Sequence, residues 1–278
     1  MNRKQKKRLG TILTVIAVIL IILVLDIGMI TNFLTAFKSP FTISSSPPKW
    51  IFKPTLDNFR NVLGKGSFDF RLYLWNSFII AVVSSAIAIV LTIPAAYSIV
   101  LYHGLGDVIL GSTMLLRLAP ALAFAIPVFL IFNQFKLLDT KIAIIFMHTL
   151  FITPTSLLLF IGYIQDLPKE IEEAASIDGA NTLQILTQVL IPVLLPGIGS
   201  TAILGFITSW NEYLFSGILA FKKSITATVG TSFFITSYAV EWGNMAAAIT
   251  LSTIPTALFI FIAQKSLVKG MTAGSVKG

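Results

Sequence analysis

An all-α membrane protein with six transmembrane helices is the fold class this sequence predicts, and three observations predict it. Of 278 residues, 55% are hydrophobic and 12% charged, and the mean hydropathy of +0.88 lies well above that of an ordinary soluble domain. No charged side chain occurs from Leu72 to Tyr102, from Ile142 to Gln165, or from Trp242 to Gln264. Each of these stretches supplies the roughly 20 apolar residues that a helix needs to cross a hydrocarbon core.

Taken in order, the chain begins with Arg3, Lys4, Lys6, Lys7 and Arg8, followed by an apolar run to about Leu34. That run exceeds the core of a signal peptide and no small-residue cleavage site follows it closely, so it is expected to persist as the first span, Thr11 to Phe33. Residues 35–71, with Ser44-Ser45-Ser46-Pro47-Pro48 and alternating polar and aromatic residues, read as an external segment of loops and short helices. The second to fourth spans are expected at Tyr73 to Val100, Val108 to Phe132 and Ile142 to Tyr163. The fifth and sixth are expected at Val189 to Leu214 and Met245 to Leu267. The stretch Phe221 to Trp242 carries Thr226, Thr228, Thr231, Ser232, Thr236 and Ser237, too polar for lipid. It is assigned to the outside as a loop or re-entrant hairpin; a seventh span there would carry the C-terminus across the membrane.

Orientation follows from the basic cluster before the first span, which places residues 1–10 in the cytoplasm. Summed over all loops the basic residues divide evenly, nine inside and ten outside, so this cluster decides the matter. Six spans then put the segment 164–188 and the tail 268–278 on the cytoplasmic side. No short-period repeat occurs, and residues 1–278 read as a single membrane domain.

Several classes of function are excluded. There is no cysteine and there are only two histidines, so thiolate chemistry is absent and metal-ligand clusters do not form. The net charge of +8 has no soluble basic domain to carry it; it suits anionic lipid in the bilayer rather than nucleic acid. Gly64-Lys65 is followed by Gly66, so the chain has no phosphate loop with which to cradle ATP. It is not expected to be an enzyme, and no cofactor is expected on it.

Two ionisable residues interrupt apolar spans. Asp26 lies late in the first span, and Arg117 nearer the middle of the third; a charge at that depth costs on the order of 3 kcal/mol, so each should face protein or water. Prolines recur within the spans, at Pro94, Pro120, Pro127, Pro154, Pro192, Pro196 and Pro255. Each removes a backbone hydrogen bond, giving either packing bends or a kinked passage.

Between the fourth and fifth spans lies a polar island, Asp166 to Ala180. It reads as a short helix with Asp166 as N-cap, Pro168 in the first turn, acidic residues at the positive end of the dipole, and Gly179 as terminator. Ile171, Ala174, Ala175 and Asp178 would share a face whose small centre lets a partner approach closely.

The run Glu173-Ala174-Ala175, three residues, Gly179, nine residues, then Val189-Leu190-Ile191-Pro192 resembles the EAA motif of permease subunits of ABC importers, with Val189 and Ile191 in place of the isoleucine and leucine. The resemblance implies a coupling helix that docks on an ATPase, with Glu170, Glu173, Ala174, Ala175, Asp178, Gly179, Ala180, Ile191 and Pro192 as the coupling residues. Ser209-Trp210-Asn211-Glu212 resembles a feature of carbohydrate-type permeases, and the glycine-rich tail from Lys269 resembles the end of the maltose-type subunit. With the Asn76-Ser77 entry to the second span and the six-helix layout, the resemblance covers nearly the whole chain.

The function implied is translocation of a sugar, oligosaccharide or polyol, with Arg117, Trp210, Asn211 and Glu212 bordering the substrate path. The partners implied are a second homologous permease, two ATPase subunits carrying ATP and magnesium, and an extracytoplasmic solute-binding protein. An ion-driven secondary transporter, a permease for a non-sugar solute and a non-transporting scaffold stay open as alternatives.

Overall fold

The computed structural model describes residues 3–64, 68–102, 106–118 and 120–273. Lys65, Gly66, His103 and residues 274–278 of the tail lie outside the described residues. Among those described, the backbone is helical apart from turns and an antiparallel bridge between Ile235 and Val240. The chain divides into two compact units, Met1–Asp69 with Thr231–Leu251, and Phe70–Gly230 with Ser252–Gly278.

In the first unit, α1 (Arg3–Leu25) and α2 (Ile27–Ala36) meet at a 59° bend. The bend falls at Asp26, the one ionisable residue of the apolar run, whose side chain makes no capping bond. The expected first span is therefore broken rather than straight. Two short helices follow, α3 (Pro40–Ile43) and α4 (Asp57–Leu63). α3 is started by Ser39, whose hydroxyl accepts from the Thr42 amide. Asn58 on α4 is buried and donates to the carbonyls of Ala36 and Lys38, at 2.9 and 2.8 Å, stitching α4 to the end of α2.

The second unit is built on α5 (Phe70–Tyr102), which runs unbroken through Pro94. Ala81, Ser85, Ala88, Thr92 and Ala96 are buried along it at helical spacing, while Val82, Leu91 and Val90 on its other side are exposed. Such a stripe of small residues lets helix backbones come close where lipid gives no hydrophobic drive to associate. Two helices pack against that side, α8 (Lys141–Gln165) and α11 (Ile191–Trp210). At Gly205 of α11, a Cβ would lie 3.0 Å from the Ser85 hydroxyl, so the contact there is tight and a larger residue would have to displace that side chain.

The third expected span is not one helix. It is α6 (Gly106–Leu118), then a break at Pro120, a 3₁₀ turn (Ala121–Phe124) and α7 (Ala125–Gln134). Pro120 is extended, at φ −64° and ψ 117°, as a residue without an N–H that leaves the helix ladder. Arg117, expected near mid-span, sits on the last turn of α6 and is exposed. α8 (Lys141–Gln165) follows as expected, continuous through Pro154.

After α8 come α9 (Lys169–Ile177) and a helical run in three parts: α10 (Thr182–Gln184), a π-helical turn (Ile185–Leu190) and α11 (Ile191–Trp210). The fifth span thus begins at Thr182 rather than at Pro192 or Val189, because the π turn carries the helix into Pro192, whose missing N–H an unbroken α ladder would need. The unit is completed by α12 (Leu214–Leu219), α13 (Ala227–Thr231) and the later part of α14 (Trp242–Ala273). The polar stretch 221–242 forms no long helix.

By length and apolarity, four described helices can cross a membrane: Phe70–Leu101, Lys141–Gln165, Thr182–Trp210 and Trp242–Ile262. The bent pair α1–α2 makes a fifth if it counts as one span.

Candidate functional site

The polar island folds as α9, a nine-residue helix, but its ends differ from the expectation. Asp166 caps the C-terminus of α8, its amide donating to the Gly162 carbonyl at 3.1 Å. Pro168 occupies the N-cap position of α9 and offers no capping side chain; Glu170 and Glu172 in the first turn meet the positive end of the dipole instead.

The other end closes as expected and does so by a Schellman motif. The amide of Gly179 donates to the Ser176 carbonyl at 3.1 Å and that of Ala180 to the Ala175 carbonyl at 3.0 Å. The turn needs φ = +85° at Gly179, a backbone region that side chains with a Cβ avoid. Ala175 and Ala180, paired across this motif, both pack on the cluster formed by Tyr97, Phe160, Ile164, Ile185 and Leu190.

Helix α9 is therefore seated at two points. One is the Ala175–Ala180 contact, joined by the half-buried Ile191. The other is Glu172, whose carboxylate accepts from the Tyr97 hydroxyl on α5 at 2.8 Å. Along Ile171 the helix is undercut by a cleft of about 1020 Å³ lined by Leu110, Ile164 and Leu167.

The face predicted to carry both alanines is divided. Ala175 faces the seat, whereas Ala174 is exposed with Glu170, Glu173 and Asp178, as is Pro192 further on. The large apolar group on the open side is Ile177, 85% exposed, with Leu183 exposed beyond it. Sequence reading passed over Ile177, because a single isoleucine among charges carries no periodic signal. It also missed the capping box that starts α10, in which Asn181 and Gln184 exchange side-chain and backbone bonds at 3.0 and 2.9 Å. The spacing Asn-x-x-Gln could have revealed it.

A second polar group lies where α11 turns into α12. Glu212 accepts the amides of Phe215 (2.8 Å) and Ser216 (3.1 Å), so it caps α12. Its Oε2 also accepts from the Ser216 hydroxyl at 3.1 Å and meets Nε2 of the buried His148 at 2.9 Å. Nδ1 of His148 lies 2.6 Å from Ser209 Oγ, which in turn accepts from Ser84 Oγ on α5 at 3.1 Å. A carboxylate holding four donors can only accept, so Nε2 of His148 donates to Glu212. The Glu212 carbonyl accepts from Thr228 Oγ1 at 3.0 Å, adding α13.

The residues expected to border a substrate path thus occupy different situations. Trp210 is buried, donates from Nε1 to the Ser252 carbonyl at 2.9 Å and stacks on Phe206. Glu212 is committed to the bonds above. Asn211 is exposed and donates to the Ile207 carbonyl at 3.0 Å, and Arg117 is exposed on α6. Sequence reading set His148 aside with His103 as leaving little for imidazole chemistry; a lone imidazole inside an uncharged span was the available signal.

Comparison with known proteins places this architecture. The sequence pattern of the family described as binding-protein-dependent transport system inner membrane component matches residues 88–273. The chain is 34% identical, over 88% of its length and 87% of the relative's, to the probable ABC transporter permease protein y4oR of Sinorhizobium fredii. It is 31% identical, over 97% of its own length and 98% of the relative's, to the trehalose/maltose transport system permease protein MalG of Thermococcus litoralis. Its fold matches a solved bacterial ABC transporter involved in the import of the acidic polysaccharide alginate, with a TM-score of 0.77. The two are 22% identical, and the match covers 95% of this chain and 98% of that one.

Proposed function

The chain belongs to the family of binding-protein-dependent transport system inner membrane components, and from that membership we propose that it passes a carbohydrate through the membrane as the permease subunit of an ABC importer. It is a multi-pass inner-membrane transport component. A sugar, oligosaccharide or polyol is favoured by the trehalose/maltose relative, which aligns almost end to end, and by the Trp210-Asn211-Glu212 corner.

In this reading residues 1–278 act as one permease domain with six spans, the broken pair α6 and α7 counting as one. The N-terminal basic cluster puts residues 1–10 inside, and an even number of crossings brings α9 and the tail to the same side. The chain itself is non-catalytic: ATP and magnesium reside on two ATPase subunits. A second, homologous permease completes the pathway, and a solute-binding protein delivers substrate to the outer face, near residues 35–71 and 221–242.

The observation that carries the proposal is α9, a short acidic helix held at Tyr97 and at its glycine exit, with Ile177 presented on its open side. Glu170, Glu173, Ala174, Asp178 and Ile177 form the surface offered to the ATPase. Ala175, Gly179, Ala180, Ile191 and Pro192 fix its attitude. Tighter contact with one ATPase state than another supplies the free energy, and the permease couples it to the pathway. Of the pathway residues, Arg117 and Asn211 are exposed to meet solute, while Trp210 and Glu212 hold the corner behind them.

Gly179→Val tests the coupling role. It should abolish ATP-driven uptake while the amount of inserted protein stays the same; normal uptake would refute it.

A further inference from the structure

We propose that His148 and Glu212 form the latch through which a displacement of α9 reaches the corner between α11 and α12. The inference rests on the reading of α9 as the ATPase contact. It assigns to His148 the part of a positioning residue, acting through Glu212 and Ser209 on a pathway it does not itself line.

Two helical routes lead away from α9, and they differ in stiffness. From His148 to Gln165, α8 is one helix, continuous through its single proline, Pro154, and about 26 Å long at 1.5 Å per residue; α9 follows after only Asp166, Leu167 and Pro168. The other helical route away from α9 is compliant: it passes the Gly179 turn, the π turn Ile185–Leu190, and then Pro192 and Pro196. A push on α9 is thus carried best by α8.

At its far end α8 grips its neighbours through polar bonds in apolar surroundings. His148 holds Ser209 of α11 at 2.6 Å and Glu212 at 2.9 Å. Thr149 adds a bond of 3.4 Å to the Ser84 carbonyl, and Phe151 packs on Phe215 of α12 with ring centres 5.0 Å apart. The aromatic contact can slide. The His148 bonds cannot be exchanged for water at that depth without leaving buried polar atoms unmet, so they are either made or broken. Since Glu212 also caps α12 and holds Thr228, moving His148 moves the start of α12 and α13 together. A discrete connection of this kind transmits a displacement that loose packing would absorb.

The test uses the complete importer, with its binding protein and ATPase, reconstituted in proteoliposomes and with the other subunits made cysteine-free. This chain has no cysteine of its own, so single labels can be placed at Lys169→Cys on α9 and Tyr213→Cys at the corner, both exposed. In the otherwise native complex ATP should change the spectrum of both labels. With His148→Ala the change at Lys169→Cys should persist, that at Tyr213→Cys should vanish, and uptake per ATP hydrolysed should fall about fivefold or more.

His148→Gln, whose side-chain amide can still donate to Glu212, should restore both signals. The double variant His148→Ala/Glu212→Ala should be no worse than either single one. Where His148→Ala does not assemble, Glu212→Gln serves in its place. A corner label that still responds in the variants overturns the latch alone. A Lys169→Cys label silent in the native complex overturns both the latch and the reading of α9.

Discussion

Asp139 shows how one side chain can hold a loop that no helix holds. Its carboxylate accepts the amides of Phe221, Lys222, Lys223 and Ser224 at 2.9 to 3.2 Å, and the Ser224 hydroxyl at 3.1 Å. It sits at φ = +57°, a left-handed conformation that aspartate tolerates better than most residues. Partial burial raises its pKa, but the backbone donors outweigh burial and the value falls from 3.8 to about 2. A carboxyl whose folded pKa is depressed adds stability above its ordinary pKa and loses it as pH falls towards the folded value. The loop at 221–224 should therefore stay protected at pH 4 and open as pH falls through about 2, which pepsin cleavage within it would report. Asp139→Ala should expose Lys222 and Lys223 to trypsin already at neutral pH. At Gly179 a Cβ would meet no neighbour within 4 Å, so the obstacle to a side chain there is backbone conformation rather than space. Gly179→Asn should accordingly retain most uptake where Gly179→Val loses it, since asparagine visits that region readily.

Among the elements, α9 is seated through the Glu172 bond to Tyr97 and the packing of Ala175 and Ala180. Tyr97→Phe removes the hydroxyl that holds Glu172, at a cost of about 1 kcal/mol for a hydrogen bond of this kind. A spin label at Ile177→Cys should become more mobile while co-purification with the ATPase persists. Asn181→Ala breaks the capping box of α10 and should cost about 1 kcal/mol, seen as faster amide exchange at Gln184. The composition of α9 was legible in the chain: acidic residues before, glycine after, and an apolar residue at the third position. Its N-cap was misjudged because Asp166 can close one helix as well as open the next, and only the path of the chain after Gln165 decides between them.

For the molecule as a whole, the proposed topology puts Ile177 inside and the Lys222 segment outside. Single cysteines at these two positions should react with membrane-impermeant maleimide from opposite sides: Lys222→Cys in intact cells, Ile177→Cys only after permeabilisation. Labelling of Ile177→Cys from outside would reverse the orientation and remove the ATPase from the account. With no native cysteine in the chain, neither variant needs a background substitution.

Sequence alone determined that the chain is helical and membrane-borne, where α5, α8 and α14 run, and that a polar segment ending in glycine separates two apolar helices. These follow from composition and from runs of like residues, which report transfer from water locally. Tertiary structure decided which apolar helices are continuous: Pro94 and Pro154 sit inside unbroken helices, whereas a break falls at Pro120. It decided also that His148, Ser209 and Glu212 are partners. A proline kinks or ends a helix according to what neighbouring helices supply, and a hydrogen bond between residues 64 positions apart depends on packing that no local pattern encodes.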